Sequence, residues 1–379
     1  MDILIKCALG LLSGLYAILK LFPQRDKVVF LSRQANEPSL DIRMLEEKIR
    51  ETHPEYGTVV LCRKLEGGIG KKIGYIFHMF RQMWHLATSR AAVLDSYCIA
   101  ASCLTHKKSL LVVQMWHSVG TMKKFGYSIL DQPEGSSSRI ARLMHMHRGY
   151  DFVLAAGEGY KDHLAEGFDI DREKIVTYPL PRLECLQSEN YIEETRKRIF
   201  AAYPQLSEKK NIVYVPTFRK GEGEDEAFAA AVEDMTSALD LDRYNLIIKA
   251  HPLAGFHTDD PRVLCDHAFS SMEMLCAADI VVTDYSCILY EAAVLKKPMY
   301  FYAYDLDHYL STRDIYIDYR SVMPGPICES AEELAKAVDG SADFDHEKLA
   351  AFLHTYVETT GHETKDIADF LFREIEKRR

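Results

Sequence analysis

The stretch DIVVTDYSCILYEAAVLKKPMYFYAY, Asp279 to Tyr304, decides how this chain folds. Ile280, Val281 and Val282 form a continuous apolar run, the pattern of a strand covered on both faces rather than one with a wet side. The run ends in Thr283-Asp284-Tyr285-Ser286, and a helix is expected from Ser286 to Lys296. Pro298 closes it, because the residue before a proline is pushed out of helical geometry. PMYFYAY, Pro298 to Tyr304, then opens another apolar strand. A strand, a helix and a second strand in succession build a parallel sheet.

The same alternation recurs on the N-terminal side. NIVYVPT (Asn211 to Thr217) and NLIIKAH (Asn245 to His251) belong with the two strands above in one sheet. KVVFLS (Lys27 to Ser32), TVVLC (Thr58 to Cys62), AAVLDS (Ala91 to Ser96), SLLVVQMWH (Ser109 to His117), DFVLAAG (Asp151 to Gly157) and KIVTYP (Lys174 to Pro179) make another. Ser39 is placed to cap a helix in which Ile42, Leu45 and Ile49 repeat at helical spacing. Further helices are expected at 225–239, 270–278, 331–339, 346–358 and 363–377. The polar segment 181–210, with a helix near 191–202, reads as a linker. The expected fold is α/β: an apolar helix at 1–22, then two tandem Rossmann-like doubly wound domains at 23–185 and 186–379. Such sheets bind ligands at the carboxyl ends of their strands, so substrates are expected between the domains.

A net charge of -10 over 379 residues argues against holding nucleic acid by a general basic surface, so any anion site must be local. Nine cysteines, mostly inside apolar runs and without a C-x-x-C pair, read as reduced thiols of a cytosolic protein, with Cys98 and Cys103 close enough for redox pairing. The run from Ile3 to Phe22 has an uncharged centre, Cys7 to Leu19, that is short for a bilayer, and no small-x-small site precedes Pro23. It reads as an interfacial helix on the cytoplasmic face of the membrane, with a helix docked on the first domain as the alternative.

No GxGxxG, P-loop or zinc spacing occurs. The chemistry must therefore sit at the strand ends. Thr283 and Ser286 at a helix start are suited to a pyrophosphate, or Ser286 simply caps its helix. Glu291 is placed to reach a ribose diol, or is a solvated carboxylate. Asp284 is placed to orient phosphates, to hold a divalent ion or to cap its own turn. Gln114-Met115-Trp116-His117 leads into a turn carrying Lys123 and Lys124, candidates for acceptor or phosphate contacts. Pro216-Thr217-Phe218-Arg219-Lys220 offers Arg219 as a fork for phosphate oxygens. Lys249-Ala250-His251-Pro252 leaves His251 at a strand tip, the proline forcing an extended exit. A lone histidine is more often structural, but two at strand ends, one per domain, fit a general base. Arg139, Arg142, His145, His147 and Arg148 form a basic segment, either a solvated helix face or a surface for anionic lipid or a phosphorylated acceptor. His145 and His147 lack further ligands at a metal-binding spacing.

The stretches QMWHSVGTMKKFGY, DFVLAAGEGYKDHL, VYVPTFRK, IIKAHPL, VVTDYSCILYEAAVLKKPMYFYAYDLDHY and IDYRSVMPGPI, in this order between Val28 and Ile327, resemble the CDP-glycerol glycerophosphotransferase family of teichoic-acid synthesis. The resemblance implies a GT-B-like pair of domains and a CDP-polyol donor whose polyol phosphate passes to a lipid-linked acceptor as CMP leaves. It implies that His117 and His251 are the essential histidines and that Arg219, Thr283, Ser286 and Lys249 surround the donor phosphates. Glu291 would then face the ribose, and Asp318 lies in a matched loop. The family's WHGTP is replaced here by WHSVGTMKK, longer and without the proline, which keeps His117 in place and leaves glycerol, ribitol or another polyol open. No covalent intermediate and no cofactor is implied. Of the two histidines, His117 is the expected base, because it ends a first-domain strand while the donor site is built from the second. The rival readings are a GT-B glycosyltransferase or epimerase using a UDP-sugar, and a catalytically silent membrane scaffold.

Overall fold

The computed structural model describes residues 2–65, 67–219, 223–251 and 256–379. The chain divides into two compact units. One holds the residues up to Val119 together with Lys124–Glu184 and Glu358–Arg379; the other holds Gly120–Lys123 and Cys185–Val357.

In the first unit β1 (Lys27–Ser32), β2 (Gly57–Cys62), β3 (Ala91–Leu94), β4 (Leu111–Gln114), β5 (Phe152–Ala155) and β6 (Ile175–Thr177) form one sheet in the order β2-β1-β3-β4-β5-β6. All its neighbours are parallel, with Val28 to Leu31 in register with Ala91 to Leu94. Val28, Val29, Phe30, Val93, Leu94, Leu111 and Val113 are buried, as strands covered on both faces require. Helices α1 (Asp2–Leu19), α2 (Leu40–Thr52), α3 (Ile69–Thr88), α4 (Ile99–Cys103), α5 (Ser138–Leu143) and α6 (Lys161–Phe168) belong to this part of the chain, and the boundary after Glu184 falls within α7 (Arg182–Gln187). Ser39 caps α2 as expected, accepting from the Ile42 N–H. The sheet changes direction of growth between β1 and β3, so the ends of β3 and β4 lie beside the switch point where such sheets bind ligands.

The second unit carries α8 (Glu189–Ala202), β7 (Lys210–Val215), α9 (Glu224–Ala238), β8 (Tyr244–Ile248), β9 (Val263–Cys265), α10 (Ser271–Ala277), β10 (Ile280–Thr283), α11 (Ile288–Val294), β11 (Met299–Tyr302), α12 (Leu306–Thr312), α13 (Tyr319–Val322), β12 (Ile327–Cys328), α14 (Ala331–Asp339) and α15 (His346–Tyr356). Its sheet runs β12-β11-β10-β7-β8-β9, again wholly parallel. Here growth reverses between β7 and β10. The segments leaving those two strands carry Thr217 with Arg219, and Asp284.

Several elements depart from the sequence expectation. The segment 181–210 carries α8 where a helix was expected near 191–202, but it also folds as α7, and α8 buries Thr195 and Ile199 rather than standing free. The edge strands β9 and β12 were not anticipated, being three and two residues long. The last helix, α16 (Glu363–Glu376), was expected in a C-terminal domain reaching 379, but it packs in the first unit. It buries Phe370, Leu371 and Ile375, and Phe372 stacks on His53 with centroids 3.4 Å apart. Helix α11 is shorter than the run from Ser286 to Lys296. Cys287 stands at its N-cap, and Lys296 adopts a left-handed φ of 54° that stops it before Pro298.

Helix α1 is 18 residues long and apolar enough to cross a membrane by length and composition. Its one buried residue, Tyr16, hydrogen-bonds His106 Nδ1 at 2.6 Å, while Ile3, Leu4, Leu11 and Ile18 stand exposed. All nine cysteines are free, including Cys98 and Cys103, so that pairing is not formed.

Candidate active site

At the end of β4 the chain turns sharply, and buried hydrogen bonds explain the turn. The fully buried Gln114 side chain accepts from the Trp116 N–H at 3.0 Å and donates to the Ser96 carbonyl at 3.3 Å. Trp116 is thereby held at φ 68°, a left-handed conformation that a bulky residue adopts only when its surroundings impose it. Its ring packs against Phe125 and Phe168, both centroids 4.9 Å away.

This turn aims His117. Its Nδ1 lies 2.9 Å from the Asp95 carbonyl oxygen and 3.1 Å from the Gln34 amide nitrogen. A carbonyl can only accept, so the shorter contact places the proton on Nδ1 and leaves Nε2 as a bare base. Burial lowers the His117 pKa, the Asp95 carbonyl opposes that, Arg182 lowers it further and Asp41 raises it. The backbone is held as well. Arg182 makes a bidentate pair with Asp41, which is 1% exposed, and donates to the His117 carbonyl at 3.3 Å. His147, expected on a solvated face, is instead buried next to Tyr150, its Nδ1 3.0 Å from the phenol oxygen, and burial lowers its pKa to about 3. Asp41, Asp95 and Arg182 were missed from sequence, and Gln114 and His147 were named there without these roles.

In the second unit the centre is Arg219. Its Nε and Nη2 grip the Asp305 carboxylate at 2.6 and 3.0 Å, and its Nη1 donates to Asp284 at 2.9 Å and to the Thr217 carbonyl at 3.1 Å. The guanidinium lies 5.5, 5.0 and 5.9 Å from the ring centroids of Tyr285, Tyr304 and Tyr309, and the first and last of these rings stack on each other at 3.6 Å. Burial opposes the charge on Arg219, but Asp284 and Asp305 outweigh it and raise its pKa. The expected phosphate fork is thus filled by Asp305, a residue not singled out in the sequence. One of the five N–H groups remains unengaged among the described residues.

Other expectations are corrected by the same geometry. Thr283 is fully buried and its hydroxyl donates to the Val215 carbonyl at 2.8 Å, so it ties β10 to β7 rather than facing a ligand. Lys249 spends all three N–H groups on Asp266 Oδ2 at 2.8 Å, the Asp266 carbonyl at 3.0 Å and the Phe269 carbonyl at 2.6 Å. It is a structural cation. Asp284 is fully buried, its Oδ1 accepting from the N–H groups of Thr217 and Tyr285, so it organises the strand-end loop as well as capping its own turn. Among the described residues no group of three or more His, Cys, Asp or Glu is arranged to hold a metal ion.

Glu291 is 5% exposed, which removes the reading of a solvated carboxylate. Ser286 is half-buried, and its Oγ accepts from the Ile288 N–H only at 3.4 Å. Lys123 belongs to the second unit, where its Nζ reaches Thr217 Oγ1 at 3.5 Å and lies 5.7 Å from the Tyr309 centroid. That short segment is seated by Gly120: a Cβ there would lie 2.4 Å from the Tyr290 ring. Lys124 is half-buried and belongs to the first unit. Asp318 is exposed, its carbonyl accepting from Val322 at 3.0 Å at the start of α13. His251 is exposed and stacks on Phe218 at 4.9 Å, and it lines with Thr217, Arg219 and Glu224 a recess of about 10 Å³. Lys220 and Pro252 lie outside the described residues.

Comparison with known proteins fits this arrangement. The family model of CDP-glycerol:poly(glycerophosphate) glycerophosphotransferase matches residues 15–373. The teichoic acid ribitol-phosphate primase of Bacillus spizizenii is 31% identical over 96% of this chain and 94% of its own. The teichoic acid glycerol-phosphate primase of Bacillus subtilis is 26% identical over 78% of this chain and 76% of its own. Among solved structures, the wall teichoic acid polymerase TagF superposes with a TM-score of 0.75 at 19% identity, covering 97% of this chain and 93% of that one. The UDP-GlcNAc 2-epimerase of Methanocaldococcus jannaschii shares the fold at a TM-score of 0.59 and 15% identity, over 93% of this chain and 100% of the other. The chain thus belongs to the CDP-glycerol:poly(glycerophosphate) glycerophosphotransferase family.

Proposed function

We propose that this protein transfers a polyol phosphate from a CDP-polyol to a hydroxyl of a lipid-linked acceptor in teichoic-acid synthesis, acting as a peripheral enzyme on the cytoplasmic face of the membrane. The observation that carries the reading is the His117 imidazole, held by the Asp95 carbonyl as the tautomer with Nε2 bare. His117 Nε2 takes the acceptor hydroxyl proton as that oxygen attacks the β-phosphorus in line. The bond from the β-phosphorus to the bridging oxygen breaks, and CMP leaves. Transfer of this kind depends on positioning and charge stabilisation rather than on a covalent intermediate.

On the donor side, Lys123 and Ser286 have hydrogen-bonding capacity left over among the described residues, and His251 lies in the recess beside Arg219. Lys123 has one hydrogen bond among the described residues, so two ammonium N–H groups are available for phosphate oxygens. Arg219 acts mainly by holding Thr217 and Asp284 in place, with its remaining N–H for the donor. The buried Glu291 is assigned to the ribose, as the family resemblance implies. The likeness to the ribitol-phosphate primase along nearly its whole length supports CDP-ribitol as the first donor to test.

The test is turnover of each donor by the purified full chain with a synthetic lipid-linked acceptor, read as CMP released from CDP-ribitol or CDP-glycerol and as UDP or an altered UDP-sugar formed from UDP-sugars. Turnover of a CDP-polyol supports the reading. Turnover of UDP-sugars alone replaces it with the glycosyltransferase or epimerase alternative.

A further inference from the structure

We propose that the groove between α1 and α5 binds the phosphate headgroup of an anionic membrane phospholipid, an inference that rests on the peripheral-membrane reading above. The groove encloses about 680 Å³ and is lined by Asp2, Lys6 and Leu9 from α1 and by Arg139, Arg142 and Leu143 from α5. Three cations thus face one carboxylate, in a chain whose net charge is -10. A local basic concentration against an acidic background selects an anion.

The groove already seats an oxyanion. The Asp2 carboxylate lies in the fork of Arg139, with contacts of 3.0 and 2.9 Å to Nε and 2.6 Å to Nη2. The same planar fork fits two oxygens of a phosphate. The pair is open to water, with side chains 62% and 37% exposed, so it is weakly held and readily exchanged. Lys6 and Arg142 are exposed and complete the charge around this point.

Apolar surface decides between a lipid and a free phosphate. On the helix that supplies Lys6, Ile3, Leu4 and Leu11 are 78%, 75% and 77% exposed, and Phe77 of α3 is 67% exposed. A soluble anion has no use for these side chains, whereas acyl chains beside a bound headgroup cover them. Basic residues at the membrane surface and apolar residues below it are the arrangement of interfacial helices.

The test is vesicle flotation of the full chain with phosphatidylcholine alone and with phosphatidylcholine mixed with phosphatidylglycerol. Wild type should prefer the mixed vesicles. Arg139→Gln with Arg142→Gln should lose roughly thirtyfold of that affinity, about fivefold per basic residue, and keep wild-type binding to phosphatidylcholine. Arg172→Gln with Lys174→Gln, exposed cations outside the groove, should bind as wild type does. Circular dichroism checks that each variant is folded. Undiminished binding of the groove variant to mixed vesicles, or an equal loss in the control, overturns the proposal while leaving the membrane reading intact. Release of wild type from mixed vesicles by inorganic phosphate, to the level of the groove variant, assigns the groove to free phosphate instead. Wild type that binds neither vesicle sinks both readings.

Discussion

His117 and Arg219 stand in the same kind of place, just past the end of a central strand, and the two units hold them in opposite ways. Neutral groups fix the His117 ring, with the charged Arg182 touching only its backbone carbonyl: the Asp95 carbonyl takes its one ring proton, a buried amide sets the turn, and the second nitrogen is left bare. Charged groups fix Arg219: two carboxylates and a carbonyl take four of its five N–H groups. A polar residue at a strand tip can thus be either a reagent with a nitrogen left bare or a buried clamp. What separates the two is how much hydrogen-bonding capacity the surroundings leave unused.

The contrast breaks first at Arg219. If it is a clamp, Arg219→Ala leaves Asp284 and Asp305 without their cation, and breaking a buried pair costs about 3–5 kcal/mol. Urea unfolding should show that loss. A variant of wild-type stability that lacks only donor affinity would make Arg219 a reagent after all. At Lys123 the expectation is reversed: Lys123→Ala should fold normally and weaken CDP-polyol binding by about ten- to a hundredfold, the value of a charged hydrogen bond to phosphate. Calorimetric titration with donor measures it, and unchanged affinity removes Lys123 from the site.

The first unit's buried histidines give a pH dependence. His78 and His147 are 5% and 7% exposed, and burial lowers their pKa values to about 4 and about 3. Folded-state values below the unfolded value of about 6.5 mean that the unfolded chain binds the extra protons, so this stability is present above pH 6.5 and is lost as pH falls toward the folded values. At pH 5 each group should have given up roughly 1–2 kcal/mol. Urea midpoints at pH 7 and pH 5 should differ accordingly, and the difference should shrink in His147→Gln. Equal midpoints would show these rings protonating without penalty.

The smallest effect sharpens the comparison most. Transfer requires neutral His117, so activity should fall as pH drops through its pKa. Arg182→Gln removes a cation that lowers that pKa, and the acid limb of the rate profile should move to higher pH. Asp41→Asn leaves Arg182 unopposed, so the limb should move to lower pH. The other titratable groups near this ring, Asp95 and His147, are common to both variants. Shifts of the same sign, or none, would reduce the Asp41–Arg182 pair to scaffolding.

Much of this was legible in the chain itself. Continuous apolar runs such as Val28 to Leu31 and Ile280 to Val282, short and rich in β-branched residues, read as strands buried on both faces, and runs of this kind located His117 and Arg219 at strand ends. The rest depended on pairs that sequence separation conceals. Asp41 and Arg182 are 141 positions apart, and Arg219 and Asp305 are 86 apart. A strand-end lysine looks the same whether free or consumed, and only the carbonyls of Asp266 and Phe269 reveal that Lys249 is consumed. Helix α16 was assigned to the wrong unit because its apolar face gives no address, and the return of the chain to α2 is a tertiary choice.

The most direct test of His117 as the base is donor affinity by calorimetry and CMP release, measured together on His117→Ala and His251→Ala with circular dichroism confirming both folds. His117→Ala should keep its affinity for the CDP-polyol and lose about a hundred- to ten-thousandfold in rate, while His251→Ala should lose both. Near-normal transfer by His117→Ala, or a defect confined to donor affinity, would contradict the assignment.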